Sequence, residues 1–213
     1  CAGVLALTLP LAVAGASRSA DADPSASLST PRQDPYYPRI GSSVVDALHY
    51  DLELTWQRAR RELLGHETLE FRAAESADSF VLDLGRPLTV SAVEVDGVAV
   101  PFEHRGDDLV IDQQVTADTT HTVTIDYRGV PKPVHAPAVR SDVETVGFHT
   151  LKDGRVWAMQ EPYGAFTWYA VDDQPADKAT YDISITAPPG WTGVSNGVLE
   201  ASDVGTAGRR TTQ

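Results

Sequence analysis

The 213-residue sequence contains one cysteine, Cys1, and one methionine, Met159. A lone cysteine excludes an internal disulfide framework and any multi-cysteine zinc site. Positive charge is also scarce. Lys and Arg total 17 against 30 Asp and Glu, a formal net charge of −13. A chain this acidic repels phosphate backbones, so no nucleic-acid partner is expected. No GxSxG, Walker or GxGxxG motif occurs. His66-Glu67 opens like an H-E-x-x-H zinc helix, but Glu70 stands where the second histidine is required. The other histidines (His49, His104, His121, His135, His149) show no pair at metal-ligand spacing. What remains, 42% hydrophobic and 22% charged, is the composition of a globular protein. The chain begins without an initiator methionine and stops just after a strand-like run. We therefore expect a piece of a longer protein.

Residues 1–16 (CAGVLALTLPLAVAGA) are uncharged and rich in Ala, Leu and Val, and A-x-A patterns follow at Ala14–Ala16 and Ala20–Ala22. That is the apolar core and cleavage zone of a secretory leader with its basic start missing. Residues 1–22 are thus read as a signal-peptide remnant and the protein as secreted or extracellular. Alternatives are an uncleaved membrane anchor and a lipidated Cys1; the run is too short for a stable span by itself. Cys1 in this stretch is no nucleophile. Residues 23–42, rich in Pro, Ser and Asp, are read as a disordered linker.

From residue 43 to 213 the pattern is that of one β domain. Leu48, Tyr50, Leu52 and Leu54 alternate with polar residues, as do Leu69, Phe71 and Ala73, then Val123, Ile125 and Tyr127, then Tyr181 and Ile183. Asp96-Gly97 between two apolar runs predicts a hairpin. At least eight strands are expected, including one from Trp191 to Leu199, and no amphipathic helix. The fold class is all-β, an antiparallel sandwich or saddle. Tyr50, Phe71 and Trp191 are assigned to the core. Asp51, Glu53, Glu67 and Glu70 are assigned to the solvent side of strands. Exposed aromatics could also form a sugar platform, the mark of a binding module.

Residues 130–175 are broken up by prolines and glycines and hold Trp157, Tyr163, Phe166, Trp168 and Tyr169. Long irregular segments in compact domains commonly carry function. Within this one, Glu161 follows Trp157-Ala158-Met159-Gln160 and precedes Pro162, which keeps Glu161 out of helix. A carboxylate held at a rigid turn among aromatics is suited to gripping a cation. Asp173, before Gln174-Pro175, is expected to close an Asx-type turn.

The stretches His49–Trp56 (HYDLELTW), Gly65–Ala73 (GHETLEFRA), Leu82–Leu84, Gln160–Lys178 and Ser195–Gly197, in this order and spacing, resemble the N-terminal domain of the M1 family of zinc aminopeptidases, the gluzincins. The resemblance implies a β-saddle packed on a downstream thermolysin-like catalytic domain. It also implies a loop that binds the free α-amino group of a peptide substrate. In that loop Glu161 matches the last residue of the family's Q-x-E motif. The first position holds Met159 rather than Gln, so Gln160 becomes the second substrate-binding candidate, from a shifted register. The family's H-E-x-x-H, third-ligand Glu and G-x-M-E-N motifs do not occur in these residues. The resemblance thus places the zinc and the catalytic residues of the full-length protein downstream, and this portion by itself is expected to bind no metal and hydrolyse nothing. The rival readings are a non-catalytic scaffold of the same fold and a β-sandwich binding module.

Overall fold

The computed structural model describes residues 28–32, 34–136, 143–205 and 208–213. The leader expected at 1–22 lies outside them. Fourteen strands follow in chain order: β1 (Val45–Gln57), β2 (Glu62–Ala73), β3 (Phe80–Asp83), β4 (Leu88–Val95), β5 (Val98–Ala99), β6 (Phe102–Arg105), β7 (Asp108–Ile111), β8 (Thr120–Gly129), β9 (Val134–His135), β10 (Thr145–Thr150), β11 (Val156–Met159), β12 (Thr180–Ala187), β13 (Ala201–Gly205) and β14 (Gly208–Thr212). Among the described residues the only helical turn is a 3-10 turn at Ala165–Thr167, and no helix is long and apolar enough to cross a membrane.

The strands form an eight-stranded sheet in the order β13-β14-β12-β1-β2-β8-β4-β5 and two three-stranded sheets, β11-β10-β9 and β3-β7-β6. The all-β class expected from the period-two pattern is therefore found. One pairing departs from the antiparallel expectation: β1 runs parallel to β12, with Tyr50 opposite Tyr181. More than a hundred residues separate the two strands, enough chain to return to the same end of the sheet.

The alternation has breaks where the register shifts. In β1 a bulge between Ala47 and His49 moves the buried face from Val45 and Ala47 to Leu48, Tyr50, Leu52 and Leu54. In β4 an irregularity between Val90 and Ala92 leaves Leu88 buried on one side of it and Val93 and Val95 on the other. The Asp96-Gly97 hairpin forms as expected, with φ of 52° and 76° at its two central residues.

The buried face of the large sheet (Tyr50, Leu52, Leu69, Phe71, Val123, Ile125) shares one core with Phe80 and Leu82 of β3, Leu109 and Ile111 of β7, and Phe148 of β10. Phe71 meets Phe80 at 4.9 Å between ring centroids, and Trp56 meets Phe148 at 5.6 Å. Tyr50 and Phe71 are core residues as assigned. Trp191 is not. It is half-buried, and the Arg58 guanidinium lies 5.1 Å from its ring. The strand expected over residues 191–199 is absent; β13 begins only at Ala201.

The described part of residues 23–42 contains no strand or helix, yet it is bonded to the body. The Ser29 N–H and hydroxyl donate to Asp46 Oδ1, and Arg72 Nη2 donates to the Ser29 carbonyl.

Candidate functional site

The irregular region foreseen at 130–175 contains a short sheet of its own. In it β10 and β11 form a hairpin, with Gly147 opposite Met159 and His149 opposite Trp157. His149 and Trp157 stack with ring planes 2° apart, which stiffens the hairpin's outer face. Gln160 and Glu161 follow directly on β11, and both are exposed. The Glu161–Pro162 bond is cis, and Gly164 has a φ of 135°.

What fixes this turn is a carboxylate. Asp173 Oδ2 accepts the Gly164 N–H (2.8 Å) and the Phe166 N–H (3.1 Å). Asp173 therefore does not close the local Asx turn expected of it. The residue two positions on is Pro175, which has no N–H to donate, and the side chain reaches back to 164–166 instead. Thr167 reinforces the turn: its hydroxyl donates to the Gly164 carbonyl (2.7 Å) and accepts the Phe148 N–H (2.9 Å).

The chain beyond the turn hangs on side chains from three strands. The Ala170 N–H donates to Glu67 Oε2 of β2 (2.9 Å), the Asp172 N–H to the Tyr50 hydroxyl of β1 (3.1 Å), and the Asp173 N–H to Asp83 Oδ2 of β3 (3.1 Å). Asp83 and Val171 also exchange backbone hydrogen bonds in both directions. Irregular backbone inside a core must find partners for its polar groups, and these side chains supply them.

Glu67 overturns its assignment to the solvent side. It is 0% exposed. Leu63, Gly65, Glu67, Leu69, Phe71 and Ala73 share the buried face of β2, while Glu70 lies on the opposite one. Glu67 and Glu70 are three apart, an odd number, so they cannot point the same way in a strand. Burial pushes the Glu67 carboxyl well above the usual carboxylate range, with the Ala170 N–H pulling the other way. Burial likewise raises Asp83 to about 7 and Asp173 to about 6. Asp172 rises to about 9, through burial first and then the Asp177 carboxyl beside it. Asp51 and Glu53 are exposed as assigned.

Beside the turn lies a groove of about 750 Å³. Leu54, Trp56, Ile183, Trp157, Trp168 and Trp191 line it, together with Gln160. Several of the aromatics singled out in the sequence therefore face one groove. Periodicity had no means of locating it, because its walls come from strands and loops far apart in the chain.

Among the described residues, no group of three or more His, Cys, Asp or Glu side chains is arranged to hold a metal ion. The histidines are held separately: His66 by Asp126, His121 by Asp96, His104 by the Leu84 carbonyl and His49 by Thr180. These residues do not fit a zinc site.

Comparison with known proteins agrees with this architecture. A Deinococcus radiodurans M1 zinc metallopeptidase bound to a Tyr-Ser-Ala substrate superposes with a TM-score of 0.74 at 23% identity, covering 83% of this chain and 40% of that one. A two-domain M1 zinc metallopeptidase bound to L-tryptophan gives 0.75 at 24% identity, with the same coverage. Native yeast LTA4 hydrolase gives 0.62 at 23% identity, covering 86% of this chain and 29% of that one. At these identities the likeness is one of fold, and the chain spans well under half the length of each. No curated protein sequence matches it. The model of the peptidase M1 N-terminal domain matches residues 46–213, and on that match the chain belongs to the peptidase M1 N-terminal domain family.

Proposed function

We propose that this domain is the substrate-gripping part of a secreted zinc aminopeptidase, and that Glu161, with Gln160 beside it, binds the free α-ammonium of a peptide substrate. The observation that carries the reading is the position of Glu161. Glu161 is an exposed residue at the end of β11, on a turn whose backbone is pinned by Asp173 and Thr167, and the adjacent Gln160 lines a groove. A fixed carboxylate makes a charge-assisted hydrogen bond to an ammonium. It offers nothing comparable to an internal peptide bond, so it selects chain ends. Rigidity matters because the loop then loses little freedom on binding. Among the described residues no metal site is formed; in this reading the metal and the hydrolytic chemistry are supplied by a separate catalytic domain of the full-length protein. Secretion is supported by the leader-like residues 1–22.

The test is kinetic, in the full-length protein. Glu161→Gln and Glu161→Ala lower kcat/KM for substrates with a free amino terminus by an amount equivalent to about 2–5 kcal/mol, the cost of unpairing a charge pair that becomes desolvated once substrate is bound in the full-length protein. Gln160→Ala has a smaller effect. Unchanged kinetics in both Glu161 variants would overturn the assignment.

A further inference from the structure

We propose that residues 34–42, upstream of the part that matches the family, form a strap that positions the Gln160–Gly164 turn. The strap has local structure of its own. Asp34 Oδ1 accepts the N–H groups of Tyr36 (2.7 Å) and Tyr37 (2.9 Å), and the Ile40 N–H donates to the Tyr37 carbonyl (3.0 Å).

Two separate contacts couple it to the turn. First, the Tyr37 ring sits edge-on against Tyr163, with centroids 5.3 Å apart and planes at 76°. Tyr163 is two residues past Glu161. Second, the Gly41 N–H donates to Asp83 Oδ2 at 2.8 Å, and the same oxygen accepts the Asp173 N–H. Asp173 in turn holds Gly164 and Phe166. A continuous line therefore runs from the strap through two buried carboxyls to the backbone of the turn.

The strap also packs against Asp172 and Gln174. The Ser42 N–H donates to Asp172 Oδ1. Gly41 has a φ of +78°, and a Cβ there would stand 2.6 Å from Gln174 Cβ and 2.8 Å from Asp172 Oδ1. A larger residue at position 41 must lift the strap. The mechanical coupling stands by itself; its effect on substrate binding rests on the reading of Glu161 above.

The test uses Tyr37→Ala and Gly41→Val. Hydrogen exchange of the Gly164 and Phe166 amides accelerates by about tenfold or more in both, since their protection depends on the pinned turn. Unchanged protection at 164–166 while residues 34–42 exchange freely would overturn the strap. Should Gly41→Val fail to fold, Tyr37→Ala, which removes a ring contact and no buried hydrogen bond, decides by the same readout. In the full-length protein both variants raise KM for substrates with a free amino terminus about threefold to tenfold and leave kcat nearly intact, as for a loosened binding group. Faster exchange with no change in KM keeps the coupling and counts against Glu161 as the ammonium contact.

Discussion

Glu67 is a carboxyl that local pattern and local chemistry read in opposite ways. Its residue type argues for water, and its parity within β2 argues for the core. Parity prevails because the side chain has a task inside: it accepts the otherwise stranded Ala170 N–H. The two ways of changing it should differ sharply. Glu67→Gln keeps a carbonyl oxygen for that N–H and removes the titration, so at pH 5 its stability stays within about 1 kcal/mol of the wild type. Glu67→Ala leaves both a cavity and an unpaired amide, a loss of about 2–5 kcal/mol. Denaturant unfolding of the two variants checks this; equal losses would mean the hydrogen bond contributes nothing. The turn that carries Glu161 was recognisable in the sequence for a different reason. The flanking Pro162 and Gly164 mark a turn whatever the tertiary context, whereas nothing local shows that Trp191 lines the same groove as Gln160.

At the scale of elements, the β10–β11 hairpin is held at its far end by the turn between β1 and β2. Arg58 Nε and Nη2 donate to the Asp153 carbonyl (3.2 and 3.0 Å), Arg61 Nη2 to the Lys152 carbonyl (3.1 Å), and Trp56 Nε1 to the Gly154 carbonyl (3.2 Å). The Arg58 stem lies against Gly154 while its guanidinium covers Trp191. Arg58→Ala therefore detaches the tip of the β10–β11 hairpin at a modest cost in global stability, about 1 kcal/mol for an exposed group. Faster hydrogen exchange at residues 151–155 and a changed Trp191 emission are the expected results; an unchanged exchange pattern would show the tip to be self-supporting. None of these contacts was legible beforehand. They join turns almost a hundred residues apart, and turn chemistry reports only its own four residues. The strands themselves were legible, because alternation is imposed locally by a sheet with one buried face. The two register shifts show the limit of that reading: a bulge changes which parity is buried without changing residue type.

For the molecule as a whole, the buried carboxyls set the direction in which stability changes with pH. Glu67, Asp83, Asp172, Asp173 and Asp177 are all raised by burial. The groups around them include Tyr50, Asp46, Asp108 and the strap's N–H donors. A raised folded-state value means that the folded protein keeps protons which the unfolded chain releases near pH 4. This contribution to stability is thus complete below about pH 4 and is lost as pH rises through the folded values, about 6 for Asp173, 7 for Asp83 and 9 for Asp172. The melting temperature should fall from pH 5.5 to pH 8.5, by about 2–4 °C for each kcal/mol lost in a domain of this size. Glu67→Gln should flatten part of that slope. A melting temperature that rises over the same interval would contradict it.

The class of fold, most of the strands, the Asp-Gly hairpin and the family resemblance can all be read from the order of the residues. These depend on alternation, turn residues and short motifs, all of which act over a few neighbouring positions. That Glu67 is buried, that Asp173 reaches back to Gly164, that Trp191 leaves the core for Arg58, and that residues 34–42 lie against the loop bearing Glu161 emerges from the assembled fold alone. Each of these is a contact between segments distant in the chain. Such contacts are settled by which unpaired backbone N–H group or apolar surface the fold leaves within reach of a side chain, and local pattern holds no record of that.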